Sequence, residues 1–217
     1  RGDLILRRTS NKDGIRTFST DTELVESRRA EIVDDATRVF VKKGYHETNM
    51  RELANEIGKS VGCIYHYVGS KQDILYLIID KANNRGEHWI EGIESSLNTI
   101  SARKALEHFI REYYTYTGIK QDATTFAYQE VPSLERKWRK EITDTARQDV
   151  EACSIILRKG VETGEFQIEN VIMMAHNIIV LGHMWALRNW YLKKICSLDE
   201  YIKQQTAIIL RSITNRG

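Results

Sequence analysis

Between Thr48 and Lys71 the chain reads TNMRELANEIGKSVGCIYHYVGSK. Hydroxyls (Ser60, Tyr65, Tyr67), a guanidinium (Arg51), an ammonium (Lys71) and an imidazole (His66) crowd into this one stretch. Neither here nor elsewhere does a nucleophile stand at a meaningful spacing from a base, and the sequence has no metal box and no phosphate loop. The chemistry left to these groups is binding rather than bond-making. Hydroxyls and cations donate to phosphate oxygens, which supplies affinity, while short side chains that come close can read base edges. On that basis Ser60, Tyr65 and Tyr67 offer hydroxyls to phosphates, and Arg51 reaches guanine or phosphate. Val61, Gly62, Cys63 and His66 are the candidates to face bases. Glycine at 62 allows close approach, and Val61 or Cys63 can touch a thymine methyl. Thr48 and Asn49 complete the candidate set. For Tyr67 and Ile64 a place in the core competes with contact, and His66 stays open between the two.

Two short helices around a tight turn must position these groups. Asn49 can cap the first, with Glu52 three residues on to close a capping box. Leu53, Ala54 and Ile57 give that helix one apolar side, and Gly58 ends it by accepting the left-handed conformation. Ser60 caps the second, Val61 to about Val68, whose Ile64 and Val68 point inward four residues apart. Ser70 and Lys71 open the next helix. This is a helix-turn-helix signature, whose second helix enters the DNA major groove.

At these residues the chain resembles the TetR family of bacterial repressors. It has the same or a similar residue to the family pattern at Thr48, Arg51, Glu52, Leu53, Ala54, Gly58, Ser60, Gly62, Ile64, Tyr65, Tyr67, Ser70, Lys71, Asp73, Ile74 and Leu75, with unbroken spacing. Lys59, Cys63 and Val68 depart from it. The resemblance places Lys71 on phosphate and makes Tyr65 a contact. It implies a connector helix beginning at Ser70 and a helical body that binds a small effector. It also implies a homodimer whose last two helices pair with their copies as a four-helix bundle, on a double-stranded, palindromic operator.

A net charge of only +2 means that any nucleic-acid affinity comes from local rather than global positive charge. Three scattered cysteines argue for a reducing compartment and against a disulfide framework or zinc site, so a cytoplasmic location is expected. A single proline favours long uninterrupted helices. The most apolar run, Val171–Leu187, contains His176, Asn177, Gly182 and His183, and reads as a buried helix rather than a membrane span. Residues 1–19 read as a solvated tail; the sharper alternative is an arm whose Arg7, Arg8, Lys12 and Arg16 reach DNA.

The expected fold is all-α with no strand: a three-helix head over 20–69, then a connector, ligand-binding and dimerisation body over 70–217 with about six helices. The first helix is expected from Thr20, in a capping box with Glu23, to Lys43. Gly86 and Gly92 mark breaks or bends, and one helix is expected over Val171–Lys194. In the body Tyr113, Phe126, Tyr128, Trp138 and Trp185 can line a cavity for an apolar ligand or be ordinary core, and Glu130 and His183 can orient a ligand or be satisfied within the core. No cofactor or metal is expected. The runs LRKGVETGEFQIENV and RNWYLKKICSLDEYIKQQTAIILRSI are similar to the branch of the family that answers to acyl-CoA thioesters of fatty-acid, steroid or aromatic-acid breakdown. That resemblance makes an acyl-CoA the leading effector, with a multidrug-sensing repressor as the alternative.

Overall fold

The computed structural model describes residues 9–10, 14–19, 21–83 and 89–214. Among them are eleven α-helices: α1 (Thr22–Lys43), α2 (Met50–Glu56), α3 (Val61–Tyr67), α4 (Lys71–Asn83), α5 (Trp89–Ser96), α6 (Ala102–Ile119), α7 (Gln121–Glu130), α8 (Arg136–Glu162), α9 (Val171–Leu187), α10 (Asn189–Leu192) and α11 (Leu198–Ile213). The fold is all-α, with one small departure. Strands β1 (Thr9–Ser10) and β2 (Arg16–Thr17) form a two-residue antiparallel pair, Thr9 opposite Thr17 and Ser10 opposite Arg16.

The chain divides into two compact units, one of residues up to 81 together with 126–139, the other of 82–125 together with the residues from 140 on. The sequence pattern drew one seam at 70. The structure instead keeps most of α4 with the head and returns Phe126–Arg139 to it.

In the first unit α1 buries Val25, Ile32, Val33, Ala36 and Phe40, a stripe at helical spacing. Thr20 lies outside the described residues, so its expected capping role is not shown. Asp21 is the N-cap, its carboxylate accepting from the Leu24 N–H at 3.1 Å. Gly44, at φ 91°, ends α1, and Tyr45 turns back to meet Phe40 edge-on with ring centroids 5.2 Å apart. The capping box of α2 is formed in full by Asn49 and Glu52. Gly58, at φ 67°, makes the turn, and Ser60 caps α3 by accepting from the Cys63 N–H at 3.0 Å. Ile64 and Val68 are fully buried, which fixes the roll of α3 and leaves its opposite side outward. Ser70 Oγ accepts from the Asp73 N–H at the start of α4, whose Ile74, Leu75, Ile78 and Ile79 are buried.

The second unit has one apolar core. Leu106, Phe109, Ile110, Tyr113 and Tyr114 of α6 meet Cys153, Ile156 and Leu157 of α8, Ala175, Ile178 and Ile179 of α9, and Ile202, Ile209 and Ile213 of α11. Helices α6 and α9 approach closely because Gly182 has no side chain. A Cβ there would stand 2.8 Å from the Tyr114 ring and 3.1 Å from the Tyr113 ring. The expected Val171–Lys194 helix is two elements. After Leu187 the backbone leaves helical geometry at Arg188 (φ −118°, ψ 20°), and the Asn189 side-chain amide donates to Ala186 O at 2.8 Å, so a local bond competes with the ladder. The break expected at Gly86 lies outside the described residues, and Gly92 sits within α5.

Candidate nucleic-acid interface

The exposed side of α3 carries Gly62, Cys63, Tyr65 and His66, with Ser60 exposed at its N-cap and Val61 half-buried. Two local devices hold this short helix. Its N-terminal N–H groups are met by Ser60, and its inward pair Ile64 and Val68 is sealed from water. Gly62 is notable for what surrounds it. A Cβ added there would meet only Ser60 Oγ, at 4.0 Å, so nothing within the protein requires glycine. An approaching partner surface is the remaining reason for one. Arg51 and Asn49 are exposed on α2 and its cap, although the Asn49 carbonyl oxygen is occupied by the N–H groups of Arg51 and Glu52, both at 3.0 Å. Lys59 is accommodated in the turn, where its Nζ lies 3.5 Å from Glu31. The Glu31 carboxyl is held below its usual range first by the hydrogen bond from Arg28.

Not every candidate lies on that side. The Thr48 side chain is 1% exposed and donates to Gly44 O at 2.8 Å, so it ties the α1–α2 turn together and offers no hydroxyl outward; this corrects its place among the contacts. Tyr67 is half-buried, and its main-chain oxygen accepts from Arg29 Nε at 2.8 Å. Lys71 Nζ rests 4.1 Å from the centre of the Tyr45 ring and 5.9 Å from that of Phe40. Partial burial there lowers its pKa, against the pull of nearby Glu130. It is therefore an anchored cation at the start of α4.

Sequence reasoning missed the partner of His66. Phe18 stacks on its ring with centroids 5.9 Å apart and planes 26° apart, while the His66 main-chain oxygen accepts from Thr17 Oγ1 at 3.1 Å and from the Phe18 N–H at 3.0 Å. Ile15 and Thr17 are buried, so residues 14–19 are not the solvated tail expected of them. Arg7, Arg8 and Lys12 lie outside the described residues. The only signal in the sequence was the apolar alternation of Ile15 and Phe18 within a polar stretch.

The seven residues expected to face an effector do not form one group. Phe126, Tyr128, Glu130 and Trp138 belong to the first unit. There Phe126 stacks on Phe40 at 6.4 Å, Trp138 stacks on Tyr76 at 4.1 Å, and Glu130 Oε2 lies 3.4 Å from His46 Nε2. Gln72 joins the same patch, donating to Ser133 O at 2.9 Å and accepting from the Glu135 N–H at 3.0 Å. Tyr128 is 49% exposed. Tyr113, His183 and Trp185 belong to the second unit. Tyr113 Oη donates to Asp149 Oδ2 at 2.9 Å and lies 2.9 Å from His183 Nε2, and Trp185 leans on Tyr201 at 5.5 Å. Asp149, 8% exposed, is the polar residue the sequence reading overlooked. The signal was its spacing: it stands seven residues after buried Ile142 and seven before buried Ile156, on the inward stripe of α8.

The second unit also has an open groove of about 620 Å³ between α6 and α11. Ile202 and Leu210 lie on its floor, and Arg103, Arg111, Lys203 and Arg211 stand around it. Among the described residues no cluster of His, Cys, Asp and Glu could hold a metal, and no helix is long and apolar enough to cross a membrane.

A capped recognition helix with an open outer side, on an all-α chain with a separate helical body, defines a helix-turn-helix regulator. Comparison with known proteins agrees. Residues 32–76 match the family described as bacterial regulatory proteins, tetR family, and residues 99–213 match the tetracyclin repressor-like C-terminal domain. The chain belongs to the TetR family of DNA-binding transcriptional regulators, and it is not an enzyme. It is 28% identical over 213 residues to the HTH-type transcriptional regulator HbdR of Aromatoleum sp. (strain CIB), covering 96% of this chain and 90% of that one. It is 24% identical to the HTH-type transcriptional repressor KstR2 of Mycobacterium tuberculosis, covering 89% and 96%. Its fold is similar to that of AibR, solved in complex with isovaleryl coenzyme A and operator DNA, with a TM-score of 0.68 at 15% identity over 83% of this chain and 97% of that one.

Proposed function

We propose that this regulator is a repressor that binds a two-fold operator as a homodimer and leaves it when an acyl-CoA thioester binds the body. The observation that carries the DNA contact is the outward side of α3, where Gly62 is open to solvent with no internal reason to be glycine. Ser60, Val61, Cys63, Tyr65 and His66 flank it, with Arg51, Asn49 and Lys71 as supporting contacts and Tyr67 holding the last turn. One seven-residue helix reads few base pairs, so useful specificity needs a second copy on a two-fold site. Ile172 and Met173 of α9 and Ile208 of α11 are exposed by more than half, an apolar surface suited to pairing with its own copy.

Support for an acyl-CoA comes from the likeness to HbdR and KstR2, from the AibR complex, and from the α6–α11 groove, whose cations suit a nucleotide phosphate. Residues such as Tyr113, His183 and Trp185 are the candidates near the acyl end, and the regulator acts in the cytoplasm. Helices α7 and α8 each carry residues of both units in one continuous helix, so a change in the body can be passed along them to the patch that holds Phe40, Gln72 and Tyr76. An effector does this only by binding the released state better than the DNA-bound one.

The test is thermal unfolding of the purified protein with a panel of acyl-CoAs and, separately, a set of cationic drugs. A ligand at about 100 times its Kd adds about 2.7 kcal/mol of stability. An upward shift with acyl-CoAs of one chain type is expected. A shift with the drugs alone would favour the multidrug-sensing alternative.

A further inference from the structure

Helix α3 is only seven residues long, and a helix that short does not hold itself. Its last carbonyls have no partners further along the helix and must find them elsewhere. The chain supplies them from its N-terminal side. His66 O receives both Thr17 Oγ1 and the Phe18 N–H, Tyr67 O receives Arg29 Nε, and the same guanidinium donates through Nη2 to Ile15 O at 3.1 Å. Ile15 is 1% exposed and Thr17 0%, so the segment is seated in the core. The Phe18 ring then covers one side of the exposed His66 ring. Residues 14–19 lie outside both family matches, at 32–76 and 99–213, so this strap is an addition to the shared helix-turn-helix.

We propose that Ile15–Phe18 is a positioning element for the recognition helix, with Phe18 setting the orientation in which His66 meets a base edge. Operator choice then depends on a residue some fifty positions before the helix it acts on. The strap acts through the carbonyl end of α3, whereas the hydroxyls and cations that hold phosphate lie at its N-terminal end and on neighbouring helices. Loss of Phe18 therefore removes discrimination and leaves general DNA affinity in place. The inference rests on α3 facing DNA.

The experiment uses the full chain and two duplexes of equal length: one selected by the wild type from random DNA, and the same duplex scrambled. Phe18→Ala lowers affinity for the selected duplex about tenfold, the scale of coupled contacts at one base position, and leaves the scrambled duplex unchanged. In a His66→Ala background, Phe18→Ala has no further effect, because Phe18 acts through that ring. Thr17→Val, which keeps the buried volume and removes one donor to His66 O, gives a smaller loss in the same direction and serves if Phe18→Ala does not fold. Equal losses on both duplexes, no loss on either, or full additivity with His66→Ala would overturn the proposal. Failure of the wild type to select any duplex would instead overturn the DNA-facing assignment of α3 itself.

Discussion

Gly62→Ala separates folding from binding at a single methyl group. Glycine within a helix is less favourable than alanine by about 0.8–1 kcal/mol. The new Cβ would meet only Ser60 Oγ, at 4.0 Å, an ordinary contact, and Gly62 is not among the glycines with positive φ. No strain offsets the gain, so the variant should be more stable than the wild type. For a chain of this size that is a rise in Tm of about 2–4 °C. The same methyl stands where a base edge or phosphate must come close, and one spoiled contact of this kind costs about 1–3 kcal/mol in each half-site. Differential scanning fluorimetry and fluorescence anisotropy with the selected duplex measure the two effects on one preparation. Higher Tm with at least about tenfold weaker binding is expected. Unchanged affinity would refute the reasoning, because the open space at Gly62 would then have no use. A fall in Tm would refute the packing argument beneath it.

Lys71→Ala should weaken binding to every duplex alike and reduce the slope of log affinity against log salt by about one, measured by anisotropy over a salt series. A loss confined to one sequence would remove Lys71 from the phosphate contacts. Tyr113→Phe takes one hydroxyl donor from buried Asp149 and should cost about 1–3 kcal/mol in urea unfolding; a change under about 0.5 kcal/mol would show that the network absorbs the loss. Glu165 caps α6, accepting from the N–H groups of Ala102 and Arg103 at 3.1 and 3.0 Å. Burial pushes its carboxyl up, but these bonds and one from Thr163 bring it below its ordinary 4.5. Its stabilising effect is thus complete above pH 4.5 and fades as pH falls through the lower folded value. Glu165→Gln should therefore cost about 1 kcal/mol at neutral pH and almost nothing in acid, as followed by urea midpoints across pH. A cost that did not shrink in acid would show that charge is not what the cap uses.

The parts of this protein that were legible in its sequence are those made by bonds three or four residues long. The capping box of Asn49 and Glu52, the caps at Ser60 and Ser197, and the left-handed Gly58 all formed where the sequence placed them. Such contacts need no knowledge of the rest of the chain. What was not legible came from distant pairing. Phe126 and Trp138 carry the same aromatic signal whether they line a body cavity or stack on Phe40 and Tyr76 in the other unit. Thr48 matched the pattern of a contact residue, yet its hydroxyl turns back to Gly44. The strap at Ile15–Phe18 was hidden for a further reason. Its hydrogen bonds to His66 are largely main-chain on one side or both, and side-chain patterns do not announce them. Asp149 lay on an apolar stripe in plain view, and the stripe's period was the one available warning.

The central claim is that α3 reads DNA as one half of a two-fold pair. Selection of bound duplexes from random DNA by the wild-type protein, followed by footprinting, tests it most directly. The account predicts a palindromic site whose half-sites are centred about ten base pairs apart or a multiple of that. Enrichment of no sequence, or of a single unpaired half-site bound as tightly as any longer site, would contradict it.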